Sequence, residues 1–393
     1  MPRFERHPWL FLGVVVVCLV VALDLAVGLG YRLIRGQTWH DHLTQKFFGE
    51  QEWRVADPVC HHGLAPLVDG ISQFGNSRFR IVTNSLGMKD TTPRTVPLTF
   101  HGHRIVFIGD SFTEGVGISY PDSYVGRLDH WLRPQGFDVL NAGVGSFSPT
   151  LYFQKIRHLL NTVGLRFQEV VVMLDLSDAL DEELKYRLDE VNNRVLYNLD
   201  DHRGRRDRIQ TGKTWRVRWI WDNLFFLEYF RYVLEARQVG LHFSFEEKPS
   251  VHDGRRNQSG SSWTFDGAPF GPPGLEKMGA FMDRLLALLN QNNIRLTVGI
   301  YPWPDQIFRG ERDSFYVRYW KNWCQQRNVE LLDLFPVFIQ ERSEAETLAF
   351  VDQHFLKGDV HWNRAGHKLT ADFIQSRLEK RLGEHVTGKL GTR

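Results

Sequence analysis

The chain reads as an α/β protein: a doubly wound parallel sheet preceded by one membrane-spanning helix. Three observations predict this. Short β-branched and aromatic runs alternate with longer helical patterns over most of the chain, the signature of βαβ units. The first such run, Arg104 to Ile108, is continuously apolar after its arginine, as in a strand covered on both faces, and it stops abruptly at Gly109. Near the N-terminus, the stretch from Pro8 to Tyr31 is apolar except for Asp24, and it reaches the roughly 20 residues that cross a bilayer as a helix.

The apolar stretch comes first. Trp9 and Tyr31 lie where interfacial aromatics anchor a span, Arg3 and Arg6 precede it, and Arg32 and Arg35 follow. Long domains translocate largely regardless of flanking charge, so the expected orientation is N-terminus inside and the large domain outside the cytoplasm. A cleaved signal peptide is the competing reading. The run exceeds an ordinary h-region and no distinct small-residue cleavage site follows it, which favours a signal anchor. Asp24 is read as lying close enough to the helix end to reach the interface.

At 393 residues, with 42% hydrophobic and 24% charged, the chain accommodates this span plus one large domain. A formal net charge of +2 offers no electrostatic ground for nucleic-acid binding. The three cysteines are Cys18, Cys60 and Cys324. An oxidising exterior permits a Cys60–Cys324 bridge, and two unpaired thiols are the simpler reading.

Three segments follow: 1–35 as the anchor, 36–102 as a juxtamembrane lead-in of mixed pattern and little periodicity, and 103–393 as the large domain. In that domain the strand Arg104–Ile108 is followed by a helical pattern over about Tyr120–Leu132, then a strand Phe137–Leu140 and a helix Thr150–Val163. A third strand is expected at Glu169–Leu174. The helix Leu275–Leu289 leads to a fourth strand, Ile294–Ile300, and the helix Tyr316–Gln326 to a fifth, Val329–Leu334. Helices between consecutive strands suit right-handed crossovers. No internal repeat is visible.

Between the third and fourth strands lies an insertion, about 181–273. It opens on a charged helix, carries the basic tract Asp201–Arg208, continues as an aromatic-rich helix from Trp215 to Ala236, and ends in a Gly/Ser loop, Asn257–Ser262. One reading is a cap over a substrate site, since βα connections are where function is added. The favoured reading is an amphipathic helix packing its aromatics on the sheet, with the arginines as a solvated face. Tyr301-Pro-Trp-Pro304 follows the fourth strand and is either a pocket wall or a rigid turn.

Chemistry is expected at the carboxyl ends of the strands, where open α/β sheets bind ligands. Gly109-Asp110-Ser111-Phe112-Thr113 puts a hydroxyl there. Alone this is an ordinary polar turn. Far downstream, Asp359 and His361 stand two residues apart on a connector entering a helix from Arg364 to Leu382, with Asn363 as N-cap. A nucleophilic serine needs a base, and the base needs a partner that fixes its tautomer. His367 lies six residues from His361, which is not the spacing that places two helical ligands on one face, so no metal site and no cofactor are expected. His367 is read as a helix-surface residue or a support to the site.

Together, these two segments resemble the SGNH, or GDSL, hydrolase family: Gly109-Asp110-Ser111 matches its first block, and Asp359 with His361 its last. No Gly-x-Ser-x-Gly elbow surrounds Ser111, so the α/β-hydrolase template fits poorly. The resemblance implies Ser111 as nucleophile, His361 as general base and Asp359 as its orienting carboxylate. It also implies a flavodoxin-like three-layer α/β/α sandwich with five parallel strands. Asn141 to Pro149 looks like the second block, whose oxyanion-binding N–H falls on Gly145 or Ser146. In the third block Ser177 stands where the family has asparagine, and losing an oxyanion donor costs about 2.7–4 kcal/mol of transition-state stabilisation. Ser177 and Asp178 are the residues through which that site is rebuilt, if it is; acidic residues there also cap helices. Thr83 to Asp90 resembles a lead-in found in membrane-linked members. The resulting expectation is a membrane-anchored serine esterase or acyltransferase acting on acyl, chiefly acetyl, esters of a glycan, with a membrane-bound acyl-transfer partner left open. A lipid esterase or phospholipase and a non-catalytic glycan-binding scaffold are the alternatives.

Overall fold

In the computed structural model, residues 8–35, 39, 53–74, 77–197, 223–227, 229–230, 264 and 273–390 are described. The chain divides into two units, 1–51 with 200–247 and 52–199 with 248–393. The basic tract, most of the Trp215–Ala236 segment and the Gly/Ser loop lie outside the described residues.

In the first unit the apolar run forms α1 (Pro8–Arg35). Its stretch Leu12–Arg35 has a mean hydropathy of 2.8 and is largely uncovered, long and apolar enough to cross a bilayer. Asp24 does not sit near the helix end. The helix runs on to Arg35, about three turns past Asp24 at 3.6 residues per turn. The carboxylate is satisfied instead by the backbone N–H groups of Phe225, Phe226 and Leu227 at 3.0, 2.6 and 3.0 Å. Phe226 and Phe230 are 63% and 62% exposed, so these two aromatics do not pack as expected of a core-facing stripe.

The lead-in of the second unit is more regular than its sequence suggests. It forms two antiparallel hairpins, β1 (Arg54–Asp57) with β2 (His61–Leu64), and β3 (Asp69–Phe74) with β4 (Ser77–Val82). Asp57 makes the first turn by accepting the N–H groups of Val59 and Cys60, an Asx turn. These strands are short and lack clean alternation, so periodicity does not reveal them.

The five expected strands all form: β5 (His103–Ile108), β6 (Phe137–Asn141), β7 (Glu169–Leu174), then, after the antiparallel hairpin β8 (Tyr186–Asp189) and β9 (Arg194–Tyr197) at the start of the insertion, β10 (Arg295–Ile300) and β11 (Glu330–Asp333). They pair in parallel in the order β11-β10-β7-β5-β6. Numbered along the chain, that is the 2-1-3-4-5 order of a flavodoxin-like doubly wound sheet. All six residues of the central β7 are buried, as two covered faces require. At the amino edge, buried Arg104 places Nε 2.7 Å from Asp138 and donates to the Pro97 and Arg166 carbonyls, which pairs a charge that burial would otherwise penalise.

Helices cover both faces. They are α2 (Ser111–Glu114), α3 (Tyr124–Leu132), α4 (Pro149–His158), α5 (Ser177–Leu184), α6 (Pro273–Gln291), α7 (Pro304–Phe308), α8 (Phe315–Arg327), α9 (Phe335–Phe338), α10 (Glu344–His354) and α11 (Arg364–Leu390). α3 packs with α11, while α4 and α5 pack with α6, giving an α/β/α sandwich. The charged helix expected to open the insertion is α5, and it stops at Leu184 before the hairpin. β5 connects to β6 on one side, and β6 returns to β7 on the other. The sheet therefore reverses direction at the β5–β7 pair, and the crevice at their carboxyl ends is the switch point where such folds bind ligands.

Candidate active site

The turn after β5 is held by its neighbours. A Cβ on Gly109 would lie 2.2 Å from Thr113 Oγ1 and 2.9 Å from the Met173 carbonyl oxygen, so only glycine lets β5 turn this tightly beside β7. Asp110 caps α2 by accepting the Phe112 N–H at 2.9 Å, and Ser111 becomes its first residue, half-buried at the switch point. The Ser111 N–H, at the start of a helix, has no intrahelical acceptor.

His361 meets it from the far end of the chain. Its Nε2 lies 2.8 Å from Ser111 Oγ and its Nδ1 lies 2.5 Å from Asp359 Oδ1. An acceptor at Nδ1 fixes the proton there and leaves Nε2 free to accept from the serine hydroxyl. Asp359 also accepts the His361 N–H at 3.0 Å, and the Leu356 N–H bonds the His361 carbonyl at 2.8 Å, so the loop is braced from both sides. Buried Trp362 anchors the next position against Phe112 and Tyr301, with ring centroids 4.9 and 4.7 Å away, and stacks on Phe338 at 5.6 Å. Ser111, His361 and Asp359 thus form one continuous hydrogen-bonded chain.

The remaining residues singled out in the sequence are placed differently from one another. Gly145 has both peptide groups occupied: its N–H donates to Glu114 Oε2 at 2.7 Å, and its carbonyl lies 2.9 Å from His62 Nε2. Burial pushes the His62 imidazole down to about 4, so the neutral ring donates through Nε2. Ser146 is exposed and adopts φ +63°, the left-handed conformation that favours glycine. Among the described residues, no acceptor bonds its N–H. Ser177 turns its hydroxyl onto Asp175 Oδ1 at 2.6 Å. Asp178 is buried and accepts from the Tyr152 hydroxyl at 3.1 Å.

Several contacts around these residues were not legible in the sequence. Asp110, Asp175 and Asp178 are buried with carboxylate oxygens within 4.8 Å of one another. Tyr301 donates to Asp110 at 3.0 Å, and Trp303 Nε1 donates to Asp175 at 2.8 Å. The Tyr-Pro-Trp-Pro turn therefore supports these carboxylates. Burial, then the Asp175 charge, holds the Asp110 carboxyl well above the usual range, and the same causes raise Asp178. Glu114 is buried, salt-bridged to Arg54 at 2.8 Å, and so links β1 to the second-block loop. Lys89, from the Thr83–Asp90 lead-in, is buried and donates to the Gly115 and Ile118 carbonyls at 2.9 Å each. It fixes the chain just after α2. Phe74, at the end of β3, stands edge-on to the His361 ring with centroids 5.4 Å apart. His367 is not a helix-surface residue: it is buried, its Nδ1 accepts the Tyr124 N–H at 3.2 Å, and its ring stacks on Tyr124.

No family model matches this sequence, and no curated protein matches it. Among solved structures it is similar to a member of the lipolytic protein G-D-S-L family from Veillonella parvula DSM 2008, at 12% identity over 70% of this chain and 97% of that one, TM-score 0.35. It is also similar to the psychrotrophic esterase EstA from a Pseudoalteromonas species, at 12% identity over 72% and 99%, TM-score 0.36. A third likeness is to the acetyl xylan esterase AlAXEase, at 14% identity over 70% and 98%, TM-score 0.35. At identities and TM-scores this low, the fold rests on the sheet order itself, and the chemistry rests on the residues at its switch point.

Proposed function

We propose that the chain is a membrane-anchored serine esterase of SGNH type, with Ser111 as nucleophile, His361 as general base and Asp359 as the carboxylate that orients it. The observation that carries this reading is the hydrogen-bonded chain from Ser111 through His361 to Asp359 at the sheet's switch point. Ser111 Oγ attacks the acyl carbonyl as His361 Nε2 takes its proton. His361 then returns that proton to the leaving alcohol, and water or an acceptor hydroxyl repeats the cycle on the acyl-serine. The oxyanion falls to the Ser111 N–H and to the Ser146 N–H, because the Gly145 N–H is bonded to Glu114. The Ser177 hydroxyl, bonded to Asp175, has no free proton to offer in place of the family's asparagine. The substrate class is a short acyl ester, acetyl on a glycan, in keeping with the resemblance to membrane-linked SGNH proteins of polysaccharide O-acetylation.

The test is turnover of p-nitrophenyl acetate beside Ser111→Ala, His361→Ala and Asp359→Asn. Loss of the serine or histidine is expected to lower kcat by roughly 10⁴-fold or more, and Asp359→Asn by about 10⁴-fold through the wrong tautomer. A fluorophosphonate label on wild type that is absent from Ser111→Ala is the matching result. Equal activity in all four proteins would sink the assignment, and an absence of both turnover and labelling in folded wild type would favour the scaffold. Rates rising with acyl-chain length would favour the lipid esterase.

A further inference from the structure

A carboxylate at the middle of an apolar helix must find donors, because hydrocarbon offers none. Asp24 finds three in the Phe225, Phe226 and Leu227 N–H groups and is only 4% exposed. Those N–H groups begin a helical turn and lack intrahelical acceptors, so each side satisfies the other. The contact is a stripe on α1. One turn on from Asp24, a Cβ added to Gly28 would lie 1.7 Å from the Asn223 carbonyl oxygen, so the absent side chain lets this backbone sit against the helix. Another turn on, Arg32 Nη1 donates to Asn223 Oδ1 at 3.4 Å. The Phe225 ring packs near Tyr31 and stacks on Trp39 with centroids 4.1 Å apart.

The outward sides are apolar on both partners. α1 exposes Leu19, Val20 and Leu23, and the segment exposes Phe226, Tyr229 and Phe230. Irregular backbone at bilayer depth is tolerated where protein satisfies its polar groups, and Asp24 does so here. We infer that Asn223–Leu227, with Tyr229 and Phe230, within the insertion, is seated in the membrane on the Asp24–Gly28–Arg32 stripe of α1, with Phe226 and Phe230 facing lipid acyl chains. The insertion is then a second membrane attachment, and it leaves the sheet domain between β7 and β10. This inference rests on α1 being a membrane span.

Spin labels test it in full-length protein in phosphatidylcholine/phosphatidylglycerol vesicles. A Cys18→Ser background leaves only Cys60 and Cys324, both buried. Labels at Phe230→Cys, at Val20→Cys in α1 and at exposed Val191→Cys are compared for collision with oxygen and with a water-soluble nickel chelate. The label at 230 is expected to behave like that at 20, open to oxygen and shielded from the chelate. A label at 230 as open to chelate as that at 191, while 20 stays shielded, overturns the inference and leaves the span intact. An open label at 20 removes the span and the inference together. Gly28→Leu, which fills the docking stripe, is expected to expose 230 to chelate without changing 20; an unchanged label at 230 would overturn the docking.

Discussion

In the proposed role His361 can serve Ser111 only while its ring stays neutral and aimed, and, Asp359 apart, the residues packed around that ring carry no sequence signal. Ser111, Asp359 and His361 were legible because each belongs to a short motif whose spacing has a chemical reason. Trp362, Phe112 and Phe74 touch one another or His361 through the fold alone, so no pattern could name them. The second block shows the same limit. Sequence leaves Gly145 and Ser146 as equal candidates, and only the buried Glu114, recruited by Arg54, separates them by occupying the Gly145 N–H. His367 yields a prediction at this scale. Burial, and then the positive charges of Lys89 and Arg127, push its imidazole down to about 3 from 6.5. With the folded pKa depressed, its stabilising contribution is complete above pH 6.5 and is lost as pH falls toward 3, by up to about 1.4 kcal/mol per pH unit. His367→Gln keeps an acceptor for the Tyr124 N–H and cannot charge. Urea unfolding at pH 7, 6 and 5 should show the wild-type advantage over this variant shrinking below pH 6.5, and a gap constant across that range would refute the assignment.

Among elements, the five sheet strands were readable because burial on both faces leaves an unbroken apolar run, with β7 the clearest. The lead-in hairpins were not, since β1 and β2 are four residues each and half-exposed. Yet the β3–β4 hairpin adds to the site something the core strands do not supply. Phe74 closes on the His361 ring from outside the sheet, and Ser77 Oγ ties the hairpin to the Gly117 carbonyl at 2.8 Å. Edge-to-face aromatic pairs are worth about 0.5–1.5 kcal/mol beyond burial. If that contact holds the His361 imidazole in place for the proposed reaction, Phe74→Ala should lower kcat/KM for p-nitrophenyl acetate by roughly 2- to 12-fold, at about 1.4 kcal/mol per decade, with melting temperature little changed. Phe74→Leu should recover part of the loss. A fall in thermal stability without any change in kcat/KM would make the contact purely structural.

At the scale of the whole molecule, if α1 spans a membrane, its orientation decides which esters Ser111 can meet. Flanking charge does not settle it, because arginines stand on both sides of α1. The length of chain that follows α1 favours translocation of the large domain. Its cysteines are compatible with an oxidising space: Cys60 and Cys324 are buried and unpaired, and burial pushes both thiols up to about 12, which suppresses the reactive thiolate. A domain with such thiols needs no bridge and resists forming a wrong one. An extracytoplasmic placement would also put the site beside cell-surface glycans without any transport of substrate. Proteinase K added to intact bacterial spheroplasts that express the full chain should therefore degrade the 53–393 domain and spare a cytoplasmic marker. Persistence of the domain in intact spheroplasts, with degradation only after lysis, would put Ser111 inside the cell and remove surface glycans from its reach.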